Sequence, residues 1–153
     1  MALLNYTTTV PVERSISETQ KMLSMHGVQG ILTEYEGPNV SAVSFRILVS
    51  GNMIDFRLPC NWKAVQQVFI NKNEHRIRRN GRLPNRIPET QEHSTAVAWR
   101  IIKDWVEAQL AIVELNQTTI PQVFLSHAVT TTGETLGERM LGNPQLLLGN
   151  GKQ

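Results

Sequence analysis

A single cysteine, Cys60, excludes an intramolecular disulfide framework. Long apolar runs are missing too. No window approaches the roughly 18 uncharged apolar residues that a membrane span needs, and the opening Met1-Ala2-Leu3-Leu4-Asn5-Tyr6 has neither a basic n-region nor an apolar core of signal length. A soluble, cytoplasmic protein without a membrane partner is expected. Catalytic and metal-binding spacings are equally sparse. His26, His75, His93, His127 and Cys60 form neither Cys-x-x-Cys nor His-Glu-x-x-His, and no Gly-x-x-x-x-Gly-Lys loop or Gly-x-Ser-x-Gly elbow occurs. The expectation is no cofactor, no metal, no catalytic residue and a non-enzymatic role. Nor is there an excess of one charge: fifteen Lys and Arg against thirteen Asp and Glu leave +2, which does not single out a nucleic-acid binder.

What is present is an ordinary globular composition, 41% hydrophobic, 18% charged and 6% aromatic over 153 residues, enough for one domain with a real core. Residues 5–12 are β-branched and predict a short edge strand. Ser15-x-x-Glu18 has the capping-box pattern, and Gly27 suits a left-handed stop, which predicts a helix over 15–26. Three β-branched or alternating runs, 28–36, 40–50 and 53–58, are separated by Gly37-Pro38-Asn39 and Gly51-Asn52 and predict an antiparallel meander. In the second run the odd positions Val43, Phe45, Ile47 and Val49 form the core face. Asn61 can cap a helix carrying Trp62, Val65, Val68, Phe69 and Ile70. The longest helix follows Pro88 and runs to about Leu115. Its main apolar seam holds Ala98, Ile101, Trp105, Ala108, Ile112 and Leu115, with Trp99, Ile102, Val106, Leu110 and Val113 beside it, and Arg100–Asp104 and Lys103–Glu107 are spaced for ion pairs. Short helices are expected near Pro121 and over 134–141. The fold class is therefore α+β: a three-stranded antiparallel meander packed against an N-terminal helix and a long helix in the C-terminal half. It forms one domain over 1–141 with a flexible tail over 142–153. The apolar long helix suggests a homo-oligomer contact.

The charge average conceals one basic segment. Residues 72–86 hold six cations against one acid, Glu74, a local +5, leaving nine against twelve elsewhere, or −3. Gly81 and Pro84 and a weak apolar period predict a loop or β-hairpin. Lys72, Arg76, Arg78, Arg79, Arg82 and Arg86 are the candidate phosphate-binding residues. Arginine is the suited type because its planar fork binds phosphate oxygens bidentately and stacks on bases. Trp62, at a helix start, is a candidate stacking residue, whereas Phe69, Trp99 and Trp105 lie on apolar helical faces.

Two parts of the chain resemble known families. An α-β-β-β-α order through 15–74, with Gly37-Pro38 and Phe45, resembles the double-stranded-RNA-binding domain. The chain departs from that family at Val40, where the family has a histidine, and at Asn61-Trp62-Lys63-Ala64-Val65, where one lysine replaces a basic cluster. Val10-Pro11-Val12-Glu13-Arg14, Phe56-Arg57-Leu58-Pro59, the run from Val97 to Trp105 and Val123-Phe124-Leu125 are similar to small uncharacterised proteins of bacteriophages and prophages. That resemblance implies a mobile-element context and no catalytic residue. The leading expectation is a non-enzymatic nucleic-acid-binding accessory protein of a phage or mobile element, contacting phosphates through the Arg-rich loop. One alternative is an anti-defence protein that sequesters a phosphorylated signal nucleotide or blocks a host protein. Another is a structural or assembly protein using the long helix and Leu146–148.

Overall fold

The computed structural model describes residues 2–81 and 85–148. The elements follow the order α1 (Val12–Ser24), β1 (Gly30–Glu36), β2 (Asn39–Val49), β3 (Asn52–Pro59), α2 (Trp62–Asn80), α3 (Gln91–Glu114), α4 (Ile120–Val123) and α5 (Leu136–Gly142), an α+β fold with an antiparallel sheet of strand order β1-β2-β3. No helix among the described residues is long and apolar enough to cross a membrane. The described residues fall into two compact units, one from Met1–Met22 with Pro59–Glu107 and one from Leu23–Leu58 with Ala108–Gln153.

The second unit contains the sheet, and turn chemistry sets its register. Gly37, with φ of 61°, precedes Pro38 and turns β1 into β2 with Glu36 opposite Asn39. Ser50 and Gly51, both at positive φ (49° and 81°), make a two-residue turn that places Val49 opposite Asn52, and therefore Phe45 opposite Phe56 and Arg46 opposite Asp55. One face is apolar: Val43, Phe45 and Ile47 of β2 and Phe56 and Leu58 of β3 are buried. Phe45 stacks on Phe56 at 5.2 Å between centroids and meets Phe124 edge-on at 5.4 Å. The other face is polar. Gly30 lies opposite Arg46, and Leu32 opposite Ser44. Arg46 pairs with Asp55 across β2 and β3, and Arg57 reaches Glu34 on β1. Beyond β3, Ala128 bridges to Phe56, and the Val129 N–H donates to the Asp55 carbonyl at 2.7 Å, so that edge is covered. Thr135 and Glu138 close a reciprocal capping box at the start of α5. Gly137 lets α5 approach closely, because a Cβ there would lie 3.0 Å from the Ser126 carbonyl oxygen.

In the first unit Ile16, Phe69, Val97, Trp99 and Val106 are buried. Glu18 of α1 accepts a bond from Arg100 of α3 at 2.6 Å, the Asn5 amide donates to Asp104 at 2.7 Å, and His93 of α3 contacts the Tyr6 carbonyl at 2.8 Å. Asp104 is thus held by Asn5 and Arg100 by Glu18, in place of the expected Arg100–Asp104 pair. Lys103 does pair with Glu107.

Three other expectations change. Residues 5–12 form no strand: Asn5 adopts φ of 60°, the Thr8 N–H bonds back to the Asn5 carbonyl at 3.0 Å, and a turn results. Helix α1 starts before Ser15, because the Pro11 carbonyl already accepts from the Arg14 and Ser15 N–H groups. Ser15 is consequently buried inside the helix, and Glu18 turns to Arg14 and Arg100. On α3 the buried seam runs through Trp99, Val106 and Leu110, while Ala108, Ile112 and Leu115 are exposed.

Candidate nucleic-acid interface

The basic segment is helical as far as Asn80, not a loop or hairpin. Lysine, glutamate and arginine are good helix formers, and no glycine or proline intervenes before Gly81. Asn61 caps the start by accepting from the Ala64 N–H at 3.2 Å. Gly81, at φ of 64°, ends the helix with its N–H on the Ile77 carbonyl at 2.7 Å. Lys72, Arg76, Arg78 and Arg79 therefore sit on the second half of α2. The apolar period fades there because the buried position one turn after Phe69 is Asn73, a polar residue.

Asn73 organises the returning chain. Its amide nitrogen donates to the Ile87 carbonyl and to Glu89 Oε1, each at 2.8 Å, and its carbonyl accepts from the Ile87 N–H at 3.1 Å. The Gln66 amide donates to the Glu89 carbonyl at 2.7 Å, and Arg76 Nη1 to the Asn85 carbonyl at 2.9 Å. Residues 85–89 thus run back along α2, latched at three points. Gln66, Asn73 and Glu89 escaped the reading of the sequence, where the only trace of them was a polar residue at a core-facing helical position.

The latch decides how much charge is left for a ligand. Arg86 pairs with Glu89 at 2.9 Å, and hydrogen bonding from Asn73, then from Arg86, holds the Glu89 carboxyl below its usual range, so it remains an anion. Arg76 keeps its charge but spends one donor on the main chain. Arg78 and Arg79 are exposed and make no hydrogen bond or ion pair among the described residues. Both also complement the partial negative charge at the helix C-terminus. At about 100° per residue, Lys72, Arg76 and Arg79 share one stripe of α2, and Arg78 projects to its side. Arg82 lies outside the described residues.

Comparison with family models, with curated proteins and with solved structures gives no match. The site therefore rests on its own chemistry. Trp62 is half-buried in the first turn of α2, with the Lys63 ammonium 5.7 Å from its ring centroid. It stands sixteen residues before Arg78, about 24 Å along the helix, so the fold does not bring the candidate stacking residue to the free arginines. Burial pushes the Cys60 thiol up to about 11, which makes it a poor nucleophile at neutral pH. Among the described residues no group of three or more His, Cys, Asp or Glu side chains is placed to hold a metal ion.

Proposed function

We propose that the protein is a non-enzymatic nucleic-acid-binding accessory protein of a bacteriophage or other mobile element, and that its contact is the cationic second half of α2. The observation that carries this reading is that the adjacent Arg78 and Arg79 are exposed and without partners among the described residues, whereas Arg14, Arg46, Arg57, Arg86 and Arg100 are all ion-paired and Arg139, also exposed, stands alone on α5. Lys72 and Arg76 extend the cationic stripe toward the middle of the helix. Such a ridge binds phosphates without reading bases, so affinity should be salt-dependent and weakly sequence-selective.

The test is a salt titration with single- and double-stranded oligonucleotides of DNA and RNA. Arg78→Gln/Arg79→Gln should weaken binding and flatten the slope of log K against log salt by about 1.8 for a duplex, or about 1.4 for a single strand, if each arginine meets one phosphate. Absence of binding at low salt, or an unchanged slope in the double variant, would overturn the reading.

A second reading, a structural or assembly protein, is favoured by the apolar surface of the second unit. Leu115 is 68% exposed, Leu141 is 80% exposed, and Leu146, Leu147 and Leu148 are all open to solvent. Concentration-dependent mass in solution, lowered by Leu141→Ser and insensitive to added polyanion, would support it. A monomer at all concentrations would exclude it.

A further inference from the structure

The polar face of the sheet forms a concavity of about 800 Å³, within the range typical of small-molecule sites. We infer that it binds a neutral, planar heteroaromatic ring of the nucleobase or nucleoside class. The site lies wholly within the second unit and stands independently of polyanion binding by α2.

The floor comes from register. Gly30 is opposite Arg46 and Ser44 is opposite Leu32, so two small residues leave main chain open between larger neighbours. Leu32, 62% exposed, and Met53, 54% exposed, supply apolar walls, and Val129, bonded to Asp55 at the edge of β3, closes one side. A flat ring can lie on such a floor at van der Waals distance from the backbone, because Gly30, the first residue of β1, places no side chain over it.

The polar groups set the ring's chemistry. Asp55 grips Arg46 through Nε at 2.6 Å and Nη2 at 2.9 Å, which fixes the guanidinium plane and leaves Nη1 without a partner among the described residues. Glu34 holds Arg57 through Nε at 2.7 Å, and both Nη groups of Arg57 make no hydrogen bond among the described residues. A guanidinium fixed in this way offers a face for stacking and an edge for donation. Among the lining side chains two carboxylates balance two guanidiniums, and Glu138 adds a further negative charge near Arg57, so the site does not favour an anion. The selection is instead for a neutral ring whose acceptors meet the arginine N–H groups and whose donor meets Glu34 Oε1, which accepts no bond among the described residues. A nucleobase edge carries donors and acceptors side by side in this way.

The experiment is titration of the full chain with adenosine, guanosine, cytidine and uridine, followed by calorimetry and amide chemical shifts at low and at high salt. At least one nucleoside should saturate the site with an affinity that salt does not change, and the shifts should map to β1 and β2. Gly30→Val fills the floor and keeps the fold: a Cβ there meets only the Arg46 Cβ, at 3.9 Å, and valine favours strands. It should weaken binding at least about tenfold with no fall in Tm; Arg46→Met, which removes charge-assisted donors, should weaken binding as much while also giving up the pair with Asp55. The inference is overturned if no nucleoside saturates at millimolar concentration, if Gly30→Val binds as well as the parent, or if binding falls with salt as it would on the α2 ridge. Loss of oligonucleotide binding alone would leave these outcomes unchanged, so the two readings fail separately.

Discussion

Asn73→Ala tests how the chain is returned from the basic helix. Asn73 is 1% exposed and makes three hydrogen bonds to a segment fourteen to sixteen residues away. Two of these bonds join neutral groups, about 1 kcal/mol each, and one reaches an ionised carboxylate, about 1.5–3 kcal/mol, so the bonds together contribute about 3.5–5 kcal/mol while they stay dry. Water recovers part of this. Ile87 is only half-buried, and Glu89 retains Arg86. The expected net loss is about 2–4 kcal/mol, and Tm should fall about 2–4 °C for each kcal/mol in a chain of this size. Urea unfolding with an unchanged m-value is the assay. Asn73→Asp sharpens it: the carboxylate still accepts from the Ile87 N–H but faces Glu89, so at neutral pH it should be worse than alanine, and acid should relieve it. A loss below about 1 kcal/mol for Asn73→Ala, or an aspartate variant as stable as the parent at neutral pH, would refute the latch.

Acid should destabilise the protein in two stages. Burial lowers the His127 pKa from 6.5, so the unfolded chain takes up that proton more readily, and stability falls as pH drops below 6.5. His127→Gln should remove this first stage from a plot of urea midpoint against pH, and an unchanged plot would contradict it. The second stage belongs to Glu18, Asp55, Glu89 and Glu138, all held below their ordinary values, chiefly by hydrogen bonds from Arg100, Arg46, Asn73 and the Thr135 backbone respectively. Their contribution is present above the unfolded values of 4.5 and 3.8 and is lost as pH falls through the lower folded values. Cys60, raised from 9.0 to about 11, should react with iodoacetamide about a hundredfold more slowly folded than in urea; equal rates would show the thiol to be accessible and ionisable.

The sheet was the most legible part of the fold, because its turns are fixed by residue type. Gly37-Pro38 and Gly51 demand particular backbone conformations, and with both turns placed, the odd-numbered core face of β2 followed from the two-residue period. The helix ends were less legible. Ser15-x-x-Glu18 has the letters of a capping box, but Pro11 already supplies the first carbonyl, and Glu18 is drawn to Arg100, eighty-two positions away. A local pattern carries no information about so distant a competitor. The long helix was placed correctly, yet its two apolar seams are nearly equal in sequence. Only packing distinguishes the buried seam of Trp99, Val106 and Leu110 from exposed Ile112 and Leu115.

For the basic segment, charge counted along the chain is a different quantity from charge offered to a ligand. The +5 over 72–86 stops three residues short of Glu89, the acid that neutralises Arg86. It also counts Arg76 as free, although that side chain braces the Asn85 carbonyl. The gain on the other side is rigidity. A loop would have to order several arginine side chains together with their backbone on binding, at a cost of about 1–2 kcal/mol per fixed residue before the side chains are counted. A helix has already met the backbone part of that cost, so fewer arginines suffice for the same affinity. Asn73 connects the two effects: the polar residue that obscured the helical pattern also holds the returning chain against α2, and that chain keeps Arg76 and Arg86 occupied, leaving Arg78 and Arg79 at the exposed end.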